Sequence, residues 1–487
     1  MFVHTPLFGK IQTLKAPWAK TRQRLRSIPL LELQVLCATL IAPSWLAPRP
    51  RLQNSRRRLY PLDLTFWAFL AQVLNPGSSC REAVRRIQAH YDSLPRPTKL
   101  HSHTSAFCQA RARLPLEALQ QINRHLGQTI EQVVRTPLGG LSWGQPLRLV
   151  DGTALTMPDT PENQAAYPQP SFQKKGCGFP QMRVLGLFSL DSGGLLASAH
   201  APMSTDENRL FRPLWPQLQA RDIVVGDRHF CSYGNVAGLK QQQVESLFRL
   251  HSKRNASFRQ GQPLGKDDRL VTWAKPAYRP TGLSPEAWQR FPDQVTVRLV
   301  RFRVPTANGR TQKIILATTL LDPLLWPVER LARIFGRRWQ IELNFDDLKT
   351  TLQMDTLSCK TPAMIHKELE LHLIAYNLVR WFMLQAALTA EVPLYRLSFK
   401  GSLDTVRHYS QTILRVPASH GKRRRRLVRR MLEVITEDLV PDRPDRREPR
   451  CLKKRPKPYP WLTGPRRQMK DRPKWRPRNP KTQSCLT

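Results

Sequence analysis

The order of strands and helices between residues 146 and 355 constrains the fold of this chain more than any other feature. The segment LRLVDGTALTMP alternates apolar and polar residues, and QMRVLGLFSLDSGGLLASAHAP does so on both sides of a turn at Asp191 to Gly194. These patterns predict a strand and a β-hairpin. A helix from about Glu207 to Gln219 follows, and RDIVVGDRHFCSY and ESLFRLH then predict two short strands. The predicted order is strand, hairpin, helix, strand, helix, strand, and later a long helix.

Three acidic residues occupy related places in this order. Asp151 and Asp227 are predicted at strand ends, and Glu342 lies on the late helix. At one edge of a mixed sheet the three carboxylates can converge, but they stay together only if cations neutralise them. Two Mg²⁺ ions, for which Mn²⁺ could substitute, would activate the attacking oxygen and stabilise the leaving oxygen. The order of elements therefore predicts an RNase H-like core with a two-metal site.

Each acid also has a purely structural explanation. Asp151 could be a turn residue, Asp227 could cap the next element, and Glu342 could form a surface ion pair with Arg338. Asp222 begins its strand and is therefore predicted at the opposite edge of the sheet.

The late helix, FGRRWQIELNFDDLKTTLQMD, carries a charged stripe. On a regular helix Phe335, Arg338, Glu342 and Lys349 fall within an arc of about 60°, beside an apolar arc that would pack inward. Two fixed cations near a carboxylate suit phosphoryl transfer, because they can bind nonbridging phosphate oxygens. Asp346, about 40° from Glu342, is the nearest rival for its position.

The charge of the chain predicts a polyanionic partner. The 487 residues contain 78 Lys plus Arg against 36 Asp plus Glu, a formal net charge of +42. Charged residues interrupt the longest apolar stretches, and the N-terminus lacks the apolar core of a signal peptide, so we expect a cytoplasmic protein without a membrane span. The scattered cysteines predict free thiols, and His101, His103 and Cys108 lack a fourth ligand for zinc.

The chain divides into five predicted regions. Residues 1–138 are helical, residues 139–255 and 325–400 form the two parts of the core, residues 256–324 form a β-rich insertion, and residues 401–487 are basic. The insertion is predicted to pair DQVTVRLVRFRVP with TQKIILATTLL through a turn at ANGR.

Both terminal regions are rich in cations whose role the sequence leaves open. The N-terminal helices form either a DNA-binding head or a docking module with solvated arginines, the residues concerned being Arg56 to Arg58, Arg81, Arg85, Arg86, Arg111 and Arg113. The C-terminal region combines the run Lys422 to Arg426 with a proline-rich tail, whose last forty or so residues are expected to be partly disordered. Tyr459, Trp461 and Trp475 could stack on bases, or the tail could bind DNA nonspecifically through its charge alone.

Four segments resemble the sequence blocks of insertion-sequence-4 family DDE transposases: DGTALTMPDTPENQAAYPQP, GDRHFCSY, RRWQIELNFDDLKTTLQMDTLSCKTP and ELELHLIAYNLVR. In that family the late helix carries a tyrosine, an arginine, a glutamate and a lysine at fixed intervals. Those intervals fall here on Phe335, Arg338, Glu342 and Lys349, so that phenylalanine replaces the tyrosine.

The resemblance implies a role for each of these residues. Asp151, Asp227 and Glu342 would be the catalytic, metal-binding triad, while Arg338, Lys349 and the Phe335 position would contact phosphates of the transposon end. The implied reaction is cut-and-paste transposition, in which hydrolysis at the element's end frees a 3′-hydroxyl that attacks another phosphodiester. The β-rich insertion would hold a distorted DNA end with an aromatic residue, for which Trp273 is the candidate. A buried core tryptophan is the alternative.

The implied partners are double-stranded DNA at the terminal inverted repeats and at the target, and a second copy of the chain, because two ends must be processed together. A prokaryotic protein on the nucleoid is expected. Two other functions stay open: a metal-dependent RNase H-like endonuclease that does not join strands, and a nonenzymatic DNA-binding protein that kept the scaffold.

Overall fold

The computed structural model describes residues 37, 40–46, 59–93, 99–135, 143–251, 254, 257–305, 311–417, 419–441 and 462–465. Within these residues a single nine-stranded mixed sheet has an apolar core on each face. The strands are β1 Leu147–Thr156, β2 Gln181–Ser189, β3 Leu195–Pro202, β4 Ile223–Gly226, β5 Glu245–Arg249, β6 Gln262–Gly265, β7 Asp268–Ala274, β8 Gln294–Pro305 and β9 Thr311–Thr318. The helices are α1 Leu62–Leu74, α2 Cys80–Ser93, α3 Ser105–Arg113, α4 Leu116–Val134, α5 Pro161–Ala166, α6 Glu207–Phe211, α7 Tyr233–Gln241, α8 Pro285–Gln289, α9 Val328–Gly336, α10 Gln340–Asp346, α11 Pro362–Ala390, α12 Phe399–Leu414 and α13 Gly421–Glu437.

The first five strands form the predicted RNase H-like core. Their order across the sheet is β3-β2-β1-β4-β5. β2 is antiparallel to both β1 and β3, and β4 is parallel to both β1 and β5. The apolar residues of the short β4, IVVG, are all buried, as expected for a central parallel strand.

The β-rich insertion continues the core sheet. β8 and β9 pair antiparallel as predicted, although the turn ANGR between them lies outside the described residues. β9 also pairs with β5, so the insertion strands extend the core sheet in the order β9-β8-β7-β6. The buried Arg298 of β8 donates to Asp268 and to the carbonyl of Trp326, which fixes the insertion to the segment that precedes α9.

Two predicted elements differ in the structure. β1 does not end at Asp151, because β2 continues to pair with it as far as Thr156. The predicted helix from Glu207 to Gln219 ends at Phe211 and continues as a 3₁₀ helix from Arg212 to Gln217. Two prolines, Pro213 and Pro216, lack the N–H groups that an α-helix needs there.

The N-terminal helices pack directly on the core. α1 is buried nearly all round and contacts α11, and α4 packs along the same helix. Arg111 is buried, with its guanidinium 4.3 Å from the centre of the Phe69 ring, so this arginine has a structural role. Arg56 to Arg58 lie outside the described residues.

The C-terminal region is helical as far as residue 437. α12 and α13 pack against α11, and the predicted boundary at residue 400 falls inside α12. The run Lys422 to Arg426 forms the first turns of α13, whereas Tyr459, Trp461 and Trp475 lie outside the described residues. None of the helices in the described ranges is both long and apolar enough to cross a membrane.

Candidate active site

Two aspartates lie side by side at one edge of the sheet. β1 and β4 pair in parallel up to Leu149 and Val225, and two residues further along each chain come Asp151 and Asp227. Asp151 lies within β1, so it is not a turn residue. Asp227 directly follows β4 and accepts a hydrogen bond of 2.7 Å from the backbone N–H of His229. Since the side chain of Ser232 caps α7, Asp227 is not a helix cap either.

The surroundings of Asp151 disfavour its ionised form. Burial raises the pKa of its carboxyl group to about 6, and the negative charges of Asp227 and Glu207 contribute to this rise. The N–H of Gly152, at 2.8 Å, and the guanidinium of Arg338 act in the opposite direction. A carboxylate in this position gains from any additional cation.

Glu342, on α10, is joined to Asp151 through Arg338. The guanidinium lies 3.0 Å from a carboxylate oxygen of Glu342 and 3.5 Å from one of Asp151. In the described part of the chain, no three His, Cys, Asp or Glu side chains lie close enough together to hold a metal ion as they stand. The group His101, His103 and Cys108 is therefore not a metal site in this structure. The structure thus brings the predicted acids to one edge and places a guanidinium between two of them.

The helix that carries Glu342 is not a single regular helix, contrary to the prediction. α9 is followed by a 3₁₀ turn, Arg337–Trp339, then by α10, and then by a π-helical segment, Asp347–Thr351. The turn per residue changes at each junction, so angles counted on a regular helix do not hold over its length. Lys349, in the π segment, points to Asp355, with the charged groups 2.9 Å apart.

A buried arginine of α11 holds this irregular helix in place. Arg380 donates to the Asn344 side chain at 2.9 Å and to the Asp347 carboxylate at 2.8 Å. It also donates to the hydroxyl of Tyr376, which in turn donates to the carbonyl of Gly193 in the β2–β3 turn. The junction between α10 and the π segment is therefore tied to α11 and to the core sheet.

Two clefts flank Arg338. One, of about 610 Å³, is lined by Asp151, Gly152, Thr153, Glu342, Phe345, Asp346, Lys349, Thr350 and Asp355. The other, of about 340 Å³, is lined by Asp227, Arg228, Arg249, Gln312, Phe335 and Arg338. Of the four predicted residues, Glu342 and Lys349 line the first cleft, and Phe335 and Arg338 line the second. They do not form a single helical stripe.

The two rival acids have different surroundings. Asp346 lines the larger cleft and accepts a hydrogen bond of 2.6 Å from Thr350. Asp222 lies at the opposite edge, as predicted, where it is buried and pairs with Arg148 at 2.9 Å and Arg135 at 3.1 Å.

Glu207 and Arg380 were not predicted from the sequence. Glu207 reaches the edge from α6, and one of its oxygens lies 2.8 Å from where a β-carbon on Gly152 would stand. In the sequence, Glu207 is recognisable only as an acidic residue at the start of a helix, and such residues are too common to indicate a site. Arg380 could have been noticed as a charge inside the apolar segment ELELHLIAYNLVR, since a buried arginine requires partners.

Trp273 of β7 is half-buried. Its ring packs partly against the apolar core that contains Phe230 and Phe248, and the guanidinium of Arg254 lies 4.0 Å from the ring centre. The ring thus combines a core contact with a partly accessible face, and its proposed stacking on DNA stays a prediction.

The family comparison and one sequence relative point to the same class of protein. Residues 142–378 match the family model described as the transposase DDE domain. The transposase InsG for insertion sequence element IS4 of Escherichia coli (strain K12) is 28% identical over 413 residues, which is 83% of this chain and 88% of that protein. The cryo-EM structure of a piggyBac transposase synaptic complex with hairpin DNA aligns over 87% of this chain and 86% of its own, with 9% identity and a TM-score of 0.39. Asp151, Asp227 and Glu342 all lie within the segment that matches the family model.

Proposed function

Because this chain belongs to the insertion-sequence-4 family of DDE transposases, we propose that it catalyses cut-and-paste transposition with Asp151, Asp227 and Glu342 as its catalytic triad. The observation that supports the assignment is the position of Asp151 and Asp227, each two residues beyond the last paired residues of β1 and β4, with Glu342 joined to Asp151 by Arg338. In this reaction water cleaves the phosphodiester at the end of the element, and the freed 3′-hydroxyl then attacks a target phosphodiester, whose 3′-oxygen leaves as the new bond forms.

Dependence on a divalent metal is general in this family, and we propose Mg²⁺, in two sites, with Mn²⁺ as a substitute. The donor set fits a hard cation, because the three residues offer only carboxylate oxygens and one of them is buried enough to raise its pKa. Asp151, Asp227 and Glu342 would hold the ions. When bound, the metal supplies activation of the attacking oxygen and neutralisation of the leaving one.

Arg338 would exchange partners during the reaction. In the DNA-free chain its guanidinium neutralises Glu342 and Asp151. A phosphate that enters either cleft offers two oxygens in the geometry that a guanidinium prefers, so the same side chain can turn from carboxylate to phosphate. Binding of DNA would thereby release Glu342 for metal binding.

Lys349 and Phe335 would contact the substrate in different clefts. Lys349 lines the cleft of Asp151 and Glu342, where it can bind a phosphate after leaving Asp355. Phe335 lines the cleft of Asp227, and its ring presents no hydrogen-bond donor there. We also propose that Trp273 stacks on an unpaired base at the DNA end, with Arg254 displaced from its ring.

The substrate is double-stranded DNA that carries the terminal inverted repeats of the element, together with a target duplex. Since two ends must be cut and joined in concert, a homodimer is proposed for the DNA complex. Such a protein would act in the cytoplasm of a prokaryote, bound to the nucleoid.

The test uses a supercoiled plasmid that carries the gene of this chain with its flanking DNA. With Mg²⁺, we expect excision of the element and its covalent joining to a second, differently sized plasmid. Nicking without joined products would instead identify an endonuclease on the same scaffold. Binding with neither product would indicate a nonenzymatic DNA-binding protein.

A further inference from the structure

One face of α13 carries five exposed cations: Lys422, Arg423, Arg425, Arg426 and Arg429. On the helix they span an arc of about 160°. Met431 and Ile435, on the opposite side, are fully buried against the rest of the protein. We call these five residues the α13 basic face.

Within the residues that the structure describes, no ion pair joins the α13 basic face to a carboxylate, whereas the neighbouring arginines have partners. Arg424 donates to the carbonyl of Val416 at 2.7 and 2.9 Å. Arg430 pairs with Glu433 at 3.1 Å and with Glu437 at 3.0 Å. The charges of the basic face are thus not used to hold the helix in place.

These charges oppose the stability of the helix that carries them. Lys422, Arg425, Arg426 and Arg429 are three or four residues apart, where like charges repel. Lys422 also lies in the first turn of α13, where the helix dipole disfavours a cation. The helix nevertheless is fixed to the body, because Arg424 binds the loop after α12 and the backbone N–H of Ser398 donates to the carbonyl of Asp438. A firmly placed surface with unneutralised charge fits a partner that supplies anions.

We propose that the α13 basic face binds the phosphate backbone of duplex DNA, irrespective of base sequence, at a place separate from the two catalytic clefts. The inference rests on the proposed function in so far as DNA is the substrate. From Lys422 to Arg429 the helix rises about 10 Å, which matches about three base-pair steps along one strand. None of the residues that line the catalytic clefts belongs to α13.

The composition of the face favours DNA over a membrane surface. Amphipathic helices that bind lipid place large apolar side chains beside their cations. The apolar residues of α13 instead face the protein, where Met431 and Ile435 are buried and Val428 and Leu432 are partly buried against the core.

The experiment compares two variants with the same loss of charge. In the first, Lys422, Arg425, Arg426 and Arg429 are each changed to Gln. In the matched control, four cations that already pair with carboxylates are changed to Gln, namely Lys240, Arg301, Lys400 and Arg407. Binding to a 30-base-pair duplex of unrelated sequence is measured by fluorescence anisotropy over a series of salt concentrations.

We expect the first variant to lower the slope of log affinity against log salt by about 3 to 4, since each lost phosphate contact removes about 0.9. The control should change the slope by less than about 1. Equal slopes in the two variants, or an unchanged slope in the first, would overturn the proposal. An unchanged slope on DNA combined with lost binding to anionic vesicles would assign the face to membranes instead.

Two further measurements keep the result interpretable. Removal of repelling charges should leave the melting temperature of the fourfold variant unchanged or raise it. If that variant does not fold, the double variant Lys422→Gln/Arg426→Gln replaces it, and we expect half of the effect on the salt slope. Asp151→Asn should keep the full salt slope while it loses cleavage. Failure of the catalytic assignment and failure of the α13 basic face are therefore seen in different assays.

Discussion

At the scale of single residues, Phe335 is the one position where the active-site helix departs from the family pattern. Its half-buried ring lines the same cleft as Asp227 and Arg338. Phe335→Tyr would add a hydroxyl that can donate to a phosphate oxygen, and a hydrogen bond to a charged group contributes about 1.5–3 kcal/mol. We expect end cleavage to become faster by up to about a hundredfold with little change in DNA affinity. A lower melting temperature without a gain in rate would show that the ring belongs to the core.

Arg380 positions the helix of Glu342 through the Asp347 and Asn344 side chains. Arg380→Met should destabilise the protein by about 3–5 kcal/mol, because it leaves the carboxylate of Asp347 without its cation. In the double variant Arg380→Met/Asp347→Asn part of this stability should return, as measured by urea unfolding. Cleavage should stay impaired in both variants, since neither holds the π segment.

The control for Arg380 is Arg430→Met, which breaks an exposed ion pair on α13 and should leave the free energy of unfolding nearly unchanged. Full recovery of cleavage in the double variant would contradict a positioning role, because the neutral pair cannot reproduce the hydrogen bonds to Asn344.

Several features of the site could be predicted from single residues and their spacing. The alternation of LRLVDGTALTMP and the apolar IVVG segment predicted Asp151 and Asp227 at one edge of a sheet, and the start of the second strand placed Asp222 at the opposite edge. The contact of Arg338 with Glu342 follows from their spacing of four. Its contact with Asp151 does not, because it depends on where α10 packs against β1.

At the scale of elements, the irregular helix from residue 328 to residue 351 shows the limit of periodicity. The apolar pattern predicted one amphipathic helix. The π segment begins at Asp347, whose carboxylate pairs with the buried Arg380 of α11, so a contact with a distant helix coincides with a change of helix type. A local pattern contains no information about such distant partners.

The insertion shows the same limit for strands. The pairing of β8 with β9 could be predicted, because a short turn joins two alternating segments. The pairing of β9 with β5 could not, since it joins residues about seventy positions apart, for example Leu247 and Thr318.

The contact of α4 with the edge strand β3 gives a prediction on stability. A β-carbon on Gly127 would lie 2.5 Å from the carbonyl oxygen of Leu195, so Gly127→Ala must push the helix away from the strand. We expect a loss of about 1–3 kcal/mol in the free energy of unfolding. Gly336→Ala is the matched control, because nothing lies within 4 Å of the added carbon, and it should be neutral or stabilising. Equal effects of the two changes would mean that α4 does not approach β3 as described.

At the scale of the whole molecule, Glu370 of α11 makes stability depend on pH. Burial raises the pKa of its carboxyl group to about 7, and Asn123 of α4 donates its only described hydrogen bond, of 3.2 Å. The folded state therefore holds the proton more tightly than the unfolded state. The stability that Glu370 contributes is present below the unfolded pKa of about 4.3 and is lost as the pH rises through 7.

Glu370→Gln should remove this dependence, because the amide stays neutral and still accepts from Asn123. At pH 8 the variant should be more stable than the wild type by about 3 kcal/mol, and near pH 4.5 the two should be nearly equal. Urea unfolding at the two pH values measures the difference, with Glu433→Gln, an exposed carboxylate, as the control. A constant difference at both pH values would refute the linkage.

The net charge predicted the class of partner but not its place on the molecule. Composition alone indicated a polyanion. The cations differ in their surroundings. Arg111, Arg148 and Arg298 are buried, and Arg338 and Lys349 line the two clefts of the candidate site. Among the described residues, no carboxylate pairs with the α13 basic face.

The assignment of Asp151, Asp227 and Glu342 to one catalytic triad is tested most directly by the cleavage activity of single amide variants. Asp151→Asn, Asp227→Asn, Glu342→Gln and the rival Asp346→Asn are assayed with Mg²⁺ on DNA that carries an end of the element, beside binding measurements. We expect no detectable cleavage from any of the first three, DNA affinity within about twofold of the wild type because the basic surface is kept, and full activity from Asp346→Asn. Cleavage at the wild-type rate by any one of the three would remove that residue from the triad and contradict the account.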